Sequence, residues 1–211
     1  MVVFKEVKDI ESMEFEEAMN IYTESFPSNE RHAAETIRER MEKDLYRMYV
    51  GIIEDAIAFM ALLYPLKGAN FILFDYMATK KEYRNRGMGT EFVRNVMALV
   101  EGEFPDSHLI LEVENPRYGN NKEERIKRVD FYRRLGAKEL STVEYVLPPL
   151  SGALPTDMIL MILPEYDAGR IEGALVRRLI VQIYRELYNR NEDDRYLDSF
   201  IHKIDETIEL I

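Results

Sequence analysis

Apolar and polar residues recur along this chain with two periods, one typical of strands and one typical of helices. Residues 2–7 read as a first strand, and apolar side chains at near-helical spacing over 15–25 predict a first helix that Pro27 ends. The same patterns predict further strands at 49–54, 56–64, 71–78, 109–113, 138–147 and 158–163, and further helices at 33–46, 89–102 and 122–135. Strands and helices alternate in the middle of the chain, with hairpins at both ends. This order predicts an α/β (α+β) fold in which a mixed sheet carries helices on both faces.

The last part of the chain has a different pattern from the rest. Apolar residues between 171 and 187, and again between 197 and 208, are spaced as in two amphipathic helices, with a polar loop at 189–194 between them. We therefore predict a domain over residues 1–165 and a two-helix extension over 166–211. The apolar stripes are too wide to remain in water, so we expect the extension to pack on the domain.

Composition excludes several kinds of protein. The 211 residues include no cysteine, which excludes disulfides, cysteine-ligated metals and a cysteine nucleophile. The three histidines are far apart in sequence, so we expect no metal site. We also expect no membrane partner and a cytoplasmic location, because no apolar run is long enough for a span and the N-terminus lacks a signal-peptide pattern.

The formal net charge of −11 argues against nucleic acid as a partner, because phosphate contacts need lysine and arginine. This acidity suits a cationic substrate such as an amine, and it also suits a protein that is only kept soluble by its charge.

One loop carries a residue pattern that suits the binding of an anion. Residues 84–90, Arg-Asn-Arg-Gly-Met-Gly-Thr, follow a predicted strand and precede a predicted helix. Glycines allow a ligand to approach the backbone closely, and the free N–H groups of a helix's first turn form an anion site. Arg84 and Arg86 would add positive charge around a pyrophosphate. The alternative is an ordinary tight turn, and the loop matches neither a Walker A sequence nor G-x-G-x-x-G.

Two segments give the sequence a family resemblance. Residues 74–90 resemble motif A of the GNAT-type N-acetyltransferase superfamily, and residues 111–114 followed by 131–137 resemble its motif B. The resemblance covers about residues 2–163. It implies a mostly antiparallel sheet of about seven strands whose fourth and fifth strands splay apart, and an acyltransferase that uses acetyl-CoA as a co-substrate. Ala137 stands where the family usually has phenylalanine, and residues 115–121 form an insertion.

The resemblance also implies roles for particular residues. The backbone of the fourth strand at Met77 and Thr79 would bind the pantetheine arm, and Tyr132 would protonate the departing thiolate. Glu112 would accept the amine's proton, directly or through water. The amides that would hold the pyrophosphate belong to Arg84, Arg86, Gly87, Met88, Gly89 and Thr90.

Structural explanations stay open beside these roles. Tyr132 also suits a core position on the inner face of its helix, with Ile126, Val129 and Leu135. Glu112 also suits a solvated edge charge, or an ion-pair partner of Arg125 or Arg128.

The sequence therefore predicts an N-acetyltransferase that moves an acetyl group directly to a primary amine of a small molecule or peptide. Glu30 and Arg31, in the loop after the first helix, are candidates to line the acceptor site or belong to a solvated loop. The alternative function is a non-catalytic acyl-CoA-binding regulatory module on the same fold. In either case the C-terminal helices are candidates for the interface of a homodimer.

Overall fold

The computed structural model describes residues 2–103, 105–164 and 166–211. Its internal contacts divide the chain into two compact units. The first contains the chain up to Pro65 together with Ile72–Ser107, and the second contains Leu66–Phe71 together with His108–Ile211.

The first unit is a strand meander with helices packed on it. Its strands follow one another in the sheet in chain order, and the first three pair antiparallel. Its elements are β1 (Val3–Val7), α1 (Met13–Ser25), α2 (Ala34–Glu42), β2 (Arg47–Ile53), β3 (Ala56–Leu66), β4 (Phe71–Thr79) and α3 (Met88–Glu103).

An aromatic core fixes α3 against these strands. Gly51 of β2 lies directly between Phe4 and Phe59 in the sheet register, and a Cβ at Gly51 would come within 2.9 Å of Phe59 Cβ. The missing side chain lets both rings meet Phe92 of α3, with centroids 5.2 and 4.8 Å from it. This packing of a buried aromatic residue sets where α3, and so the loop before it, stands on the sheet.

The second unit is organised around one long strand. Its elements are β5 (His108–Glu114), α4 (Lys122–Arg134), β6 (Lys138–Glu139), β7 (Tyr145–Leu147), β8 (Thr156–Leu163), β9 (Arg170–Glu172), α5 (Gly173–Glu186), α6 (Arg195–Ile201) and β10 (Thr207–Glu209). The strand β8 pairs antiparallel with β5, β6 and β7, while β9 and β10 form a separate two-stranded sheet. A mixed α/β fold with mostly antiparallel strands confirms the predicted fold class.

Three local predictions need correction. The single strand predicted at 138–147 is two short strands, because the chain turns between them and Thr142 adopts a φ of 63°. The side chain of Ile126 is 39% exposed rather than inward, whereas Val129 is buried. The strand predicted at 56–64 is two residues longer, since β3 continues to Leu66.

The C-terminal segment contains the two predicted helices, α5 and α6, and also the unpredicted pair β9–β10. Tyr184 of α5 and Phe200 of α6 pack edge-on against Tyr145 of β7, with centroids 6.1 and 5.6 Å from it. The segment is therefore integrated with the strands of the second unit. The division of the chain at residue 165 stays a prediction.

Candidate active site

The loop between β4 and α3 presents a row of backbone amides. Its turn is made by Asn85, with a φ of 62°, and Gly87, with a φ of 79°. The amide of Arg84 donates to the carbonyl of Lys81 at 3.3 Å, and the next amide with an acceptor is that of Glu91, which donates to the carbonyl of Gly87 at 3.0 Å. Within the described ranges, the amides of residues 85–90 have no acceptor in the protein. They lie at the start of α3, where the helix dipole favours an anion.

The space beside this loop is open. A Cβ built on Gly87 would meet no atom within 4 Å, and residues 84–87 are exposed. The positive φ, and not a crowded backbone, therefore explains the glycine at position 87.

Basic side chains surround the loop, although they are not equally available. Arg86 lies over the ring of Tyr83, with its Cζ 5.0 Å from the centroid, and Arg84 donates through Nε to the carbonyl of Thr79 at 3.1 Å. Lys80, which follows β4, forms an ion pair with Glu17 of α1 at 2.8 Å. Arg84 and Arg86 remain exposed beside the amides.

The end of β4 leads into this loop. Met77 and Thr79 are half-buried, and Ala78 between them is buried. The carbonyl of Thr79 accepts a hydrogen bond from Nε of Arg84.

Glu112, in the second unit, is enclosed by tyrosines. One carboxylate oxygen accepts a hydrogen bond from the hydroxyl of Tyr145, and the other accepts one from Tyr188, which follows α5. Glu112 is thus neither a solvated edge charge nor an ion-pair partner of Arg125 or Arg128.

The sheet register explains the contact with Tyr145. Glu112 lies opposite Leu160 of β8, and Tyr145 lies opposite Met158, two residues away on that strand. Residues two apart on a strand share a face, so Glu112 and Tyr145 project from the same side of the sheet. The helix α5 covers this side and brings Tyr188 to the second oxygen.

Burial and hydrogen bonding act on the Glu112 carboxyl in opposite directions. Burial disfavours the charged form and raises its pKa, while the hydroxyl donors of Tyr145 and Tyr188 lower it. Burial has the larger effect, so the pKa of Glu112 lies above its ordinary value. A raised carboxyl pKa brings the group closer to the range useful for a general base.

Glu114 has a different environment. Strand alternation places it on the same face as Glu112, but its carboxylate pairs with Arg125 at 3.1 Å and with Arg128 of α4. The guanidinium of Arg125 also donates to the carbonyls of Asn115 and Tyr118, at 3.2 and 2.9 Å. Arg125 therefore ties the inserted loop 115–121 to α4, and Glu114 pairs with the same guanidinium from the end of β5.

Tyr132 lies on the buried side of α4, 9% exposed. Burial raises the pKa of its hydroxyl to about 12, against a smaller lowering effect of Arg128. The hydroxyl consequently keeps its proton at physiological pH and can act as a donor. Gly136, with a φ of 95°, lies just after the end of α4 in the left-handed conformation that suits glycine.

The loop after α1 is used structurally. Arg31 donates to the carbonyls of Thr23 and Phe26, the latter at 3.2 Å, and so closes the C-terminus of α1. The carbonyl of Glu30 accepts a bond from the Tyr76 hydroxyl at 2.9 Å. The acceptor-site role of these two residues stays a prediction.

Sequence reasoning did not find Tyr145 and Tyr188. Tyr145 belongs to a three-residue strand inside a longer predicted one, and Tyr188 is 76 residues from Glu112. The spacing of Tyr184 and Tyr188 by four residues was the available signal, because it places both rings on one side of a helix.

Solved structures of other proteins share this architecture. A putative GNAT-family acetyltransferase from Bacteroides thetaiotaomicron matches with a TM-score of 0.71 and 22% identity, over 90% of this chain and 99% of that one. The chain has the GNAT acetyltransferase fold. The ribosomal-protein-S18-alanine N-acetyltransferase of Escherichia coli matches this GNAT fold with a TM-score of 0.57 and 18% identity, over 78% of this chain and 94% of that one.

A GNAT-family acetyltransferase from Elizabethkingia anophelis, solved with acetyl-CoA bound, also has this fold. It matches with a TM-score of 0.54 and 13% identity, over 77% of this chain and 97% of that one. No protein-family model matches the sequence, and no curated protein matches it.

Two further properties concern the described residues as a whole. None of the helices in this part of the GNAT fold combines the length and apolarity needed to cross a bilayer. Within the same residues, no group of three or more histidine, aspartate or glutamate side chains is arranged to hold a metal ion.

Proposed function

We propose that this protein is an acetyl-CoA-dependent N-acetyltransferase that transfers the acetyl group directly to a primary amine of a small molecule or peptide. The observation that carries the proposal is the row of amides at residues 85–90, which have no acceptor within the described chain and lie at the start of α3. On the GNAT fold, such a row suits the pyrophosphate of coenzyme A, with Arg84 and Arg86 beside it. The acetyl-CoA bound to the Elizabethkingia anophelis neighbour supports this choice of ligand.

The pantetheine arm would extend along the end of β4. Its amide groups would bond to the backbone of Met77 and Thr79, where β4 ends. The half-buried position of both residues agrees with backbone groups that a ligand can reach.

Acetyl transfer requires two proton movements. The amine nitrogen attacks the thioester carbonyl, the carbon–sulfur bond breaks, and the nitrogen loses a proton to Glu112, directly or through one water. The thiolate leaves with the electron pair of the broken bond and takes a proton from the hydroxyl of Tyr132. Tyr132 can fill this role because its hydroxyl carries a proton at neutral pH, and its raised pKa makes it a weaker acid than an ordinary tyrosine.

A thiol-release assay with acetyl-CoA and a panel of amines tests the proposal. We expect release of free coenzyme A with at least one amine, and a loss of roughly 10²-fold in kcat for Tyr132→Phe. Tyr166→Phe is the matched control, because it removes a hydroxyl from an aromatic residue that packs on Phe71 and His108, and it should keep the wild-type rate.

The possible negative results of this assay lead to different conclusions. Coenzyme A binding without turnover on any amine would favour the regulatory module over the enzyme. A full rate in Tyr132→Phe would overturn only the role of this hydroxyl.

A further inference from the structure

Glu112 is the centre of a group of hydrogen bonds that no motif predicts. Each carboxylate oxygen has its own tyrosine donor, Tyr145 for one and Tyr188 for the other. Burial and the neighbouring Glu112 raise the pKa of Tyr145 well above its ordinary value, so its hydroxyl remains a donor at any working pH. Each carboxylate oxygen still has a lone pair that can accept a proton.

The two tyrosines are themselves held in place. Tyr145 is 1% exposed and packs edge-on against Phe200, and Tyr188 is 6% exposed and packs against Tyr184, with centroids 5.6 Å apart in each case. The hydroxyl of Tyr184 donates to the carbonyl of Val146 and not to Glu112. The donors that face Glu112 therefore cannot swing away without repacking the core.

We propose that Tyr145 and Tyr188 are positioning residues that hold Glu112 in one orientation and set the pH range in which its carboxylate can accept the amine's proton. The inference rests on the proposed acetyl transfer, with Glu112 as the base. It makes the segment after α5 a functional part of the second unit, because that segment supplies one of the two donors.

The physical argument depends on which form of the carboxyl is stabilised. A carboxylate loses hydration when it is buried, and this favours the protonated acid, which cannot accept a proton. A hydroxyl donor favours the ionised carboxylate, and two donors oppose the effect of burial. Among the described residues, the titratable groups that face Glu112 are Tyr145 of β7 and Tyr184 and Tyr188 of the α5 region, while its partner on β8 is the apolar Leu160. The nearest charged groups on the same face are Glu114 and its partners Arg125 and Arg128 of α4.

Two readouts test this role. The first is the titration of Glu112 by NMR, with ¹³C-labelled glutamate and Glu112→Gln to assign the signal. The second is the pH profile of kcat/KM for coenzyme A release. The variants are Tyr145→Phe and Tyr188→Phe, and the matched control is Tyr184→Phe, which removes a hydroxyl that donates to a backbone carbonyl instead of to Glu112.

We expect the Glu112 titration and the acidic limb of the profile to move upward by about one pH unit in Tyr145→Phe and in Tyr188→Phe. At a pH on that limb, kcat/KM should fall roughly tenfold, while the plateau at higher pH stays near the wild-type value. Tyr184→Phe should leave both midpoints unchanged.

Several results would overturn the inference. One is an unmoved Glu112 titration in a folded Tyr145→Phe or Tyr188→Phe protein, and another is an equal shift in Tyr184→Phe. The NMR titration needs no turnover, so it tests whether the two tyrosines shift the pKa of Glu112 even if the wild-type protein acetylates nothing. Conversely, a wild-type acidic limb in Glu112→Gln would remove Glu112 as the base, whatever the tyrosines do to its titration.

Discussion

His32 shows at the residue scale how burial sets the chemistry of a side chain. It is 8% exposed and lies near Tyr76, with ring centroids 6.2 Å apart. Burial disfavours the charged imidazolium, and the positive charge of Arg40 adds to this effect, so the pKa of His32 falls to about 3. Burial has the opposite effect on Glu112 and raises its pKa, because the charged form of a carboxyl group is the deprotonated one.

The lowered pKa of His32 predicts a loss of stability in mild acid. The unfolded chain binds a proton on His32 below its ordinary pKa of 6.5, whereas the folded chain does not do so until about pH 3. Stability therefore rises with pH between these values and is lost as the pH falls below 6.5. The unfolding free energy of the wild type, relative to His32→Phe, should drop by about 1.4 kcal/mol between pH 7.5 and 5.5. Urea denaturation at both pH values measures this difference, and an unchanged difference would mean that His32 is protonated in the folded state.

At the scale of elements, the start of α3 combines an open space with a strained backbone. Gly87 needs a positive φ, and no atom lies near the position of its missing Cβ. Gly68, in the turn between β3 and β4, has a similar φ of 74° and an equally open Cβ position. Substitutions at these two glycines therefore distinguish an effect on stability from an effect on ligand binding.

We expect Gly87→Ala and Gly68→Ala to destabilise the protein by a similar amount, about 1 kcal/mol each, because both force a side chain into the left-handed region. Only Gly87→Ala should weaken coenzyme A binding, by roughly tenfold or more, since its methyl group enters the space beside the free amides. Calorimetric titration of both variants measures this contrast. Equal affinities of the two variants for coenzyme A would show that this loop does not bind the phosphates.

The start of α5 is packed tightly against the backbone before β10. A Cβ on Gly173 would lie 1.7 Å from the carbonyl oxygen of Asp205, and the amide of Gly173 donates to the carbonyl of Glu206 at 2.8 Å. The backbone before β10 therefore rests directly on the first turn of α5.

Gly173→Ala should destabilise the protein by about 3 kcal/mol, because the methyl group meets backbone that cannot give way as a flexible side chain would. Ala174→Ser, at the exposed neighbouring position, should change stability by no more than about 0.5 kcal/mol. Thermal and urea unfolding of the two variants compare these effects, and a near-wild-type Gly173→Ala protein would contradict the packing described here.

At the scale of the whole molecule, sequence patterns predicted what depends on neighbours along the chain. The period of apolar residues, with the stop signal at Pro27, predicted most helices and strands of the fold. The loop at 84–90 was also predictable, because an anion site at a helix start is a local arrangement. The bonds from Tyr145 and Tyr188 to Glu112 were not, since they depend on sheet register and on the packing of α5. The strands β9 and β10 were missed because each is three residues long and has no period to recognise.

Ligand binding should be visible in the stability of the entire protein. A ligand that binds only the folded state adds about 2.7 kcal/mol to the unfolding free energy at a concentration of 100 times its Kd. Coenzyme A should produce this increase in the wild type, and Arg84→Ala combined with Arg86→Ala should reduce it at the same ligand concentration. Urea unfolding with and without coenzyme A makes the comparison, and no stabilisation of the wild type would contradict the proposed ligand.

The contact of Arg86 with the ring of Tyr83 offers an optical probe. The sequence contains no tryptophan, so Tyr83→Trp would introduce a single indole beneath the guanidinium. Indole fluorescence responds to a nearby cation, and a phosphate that draws Arg86 off the ring would change the emission. Stopped-flow mixing of that variant with coenzyme A would then follow the arrival of the ligand in real time.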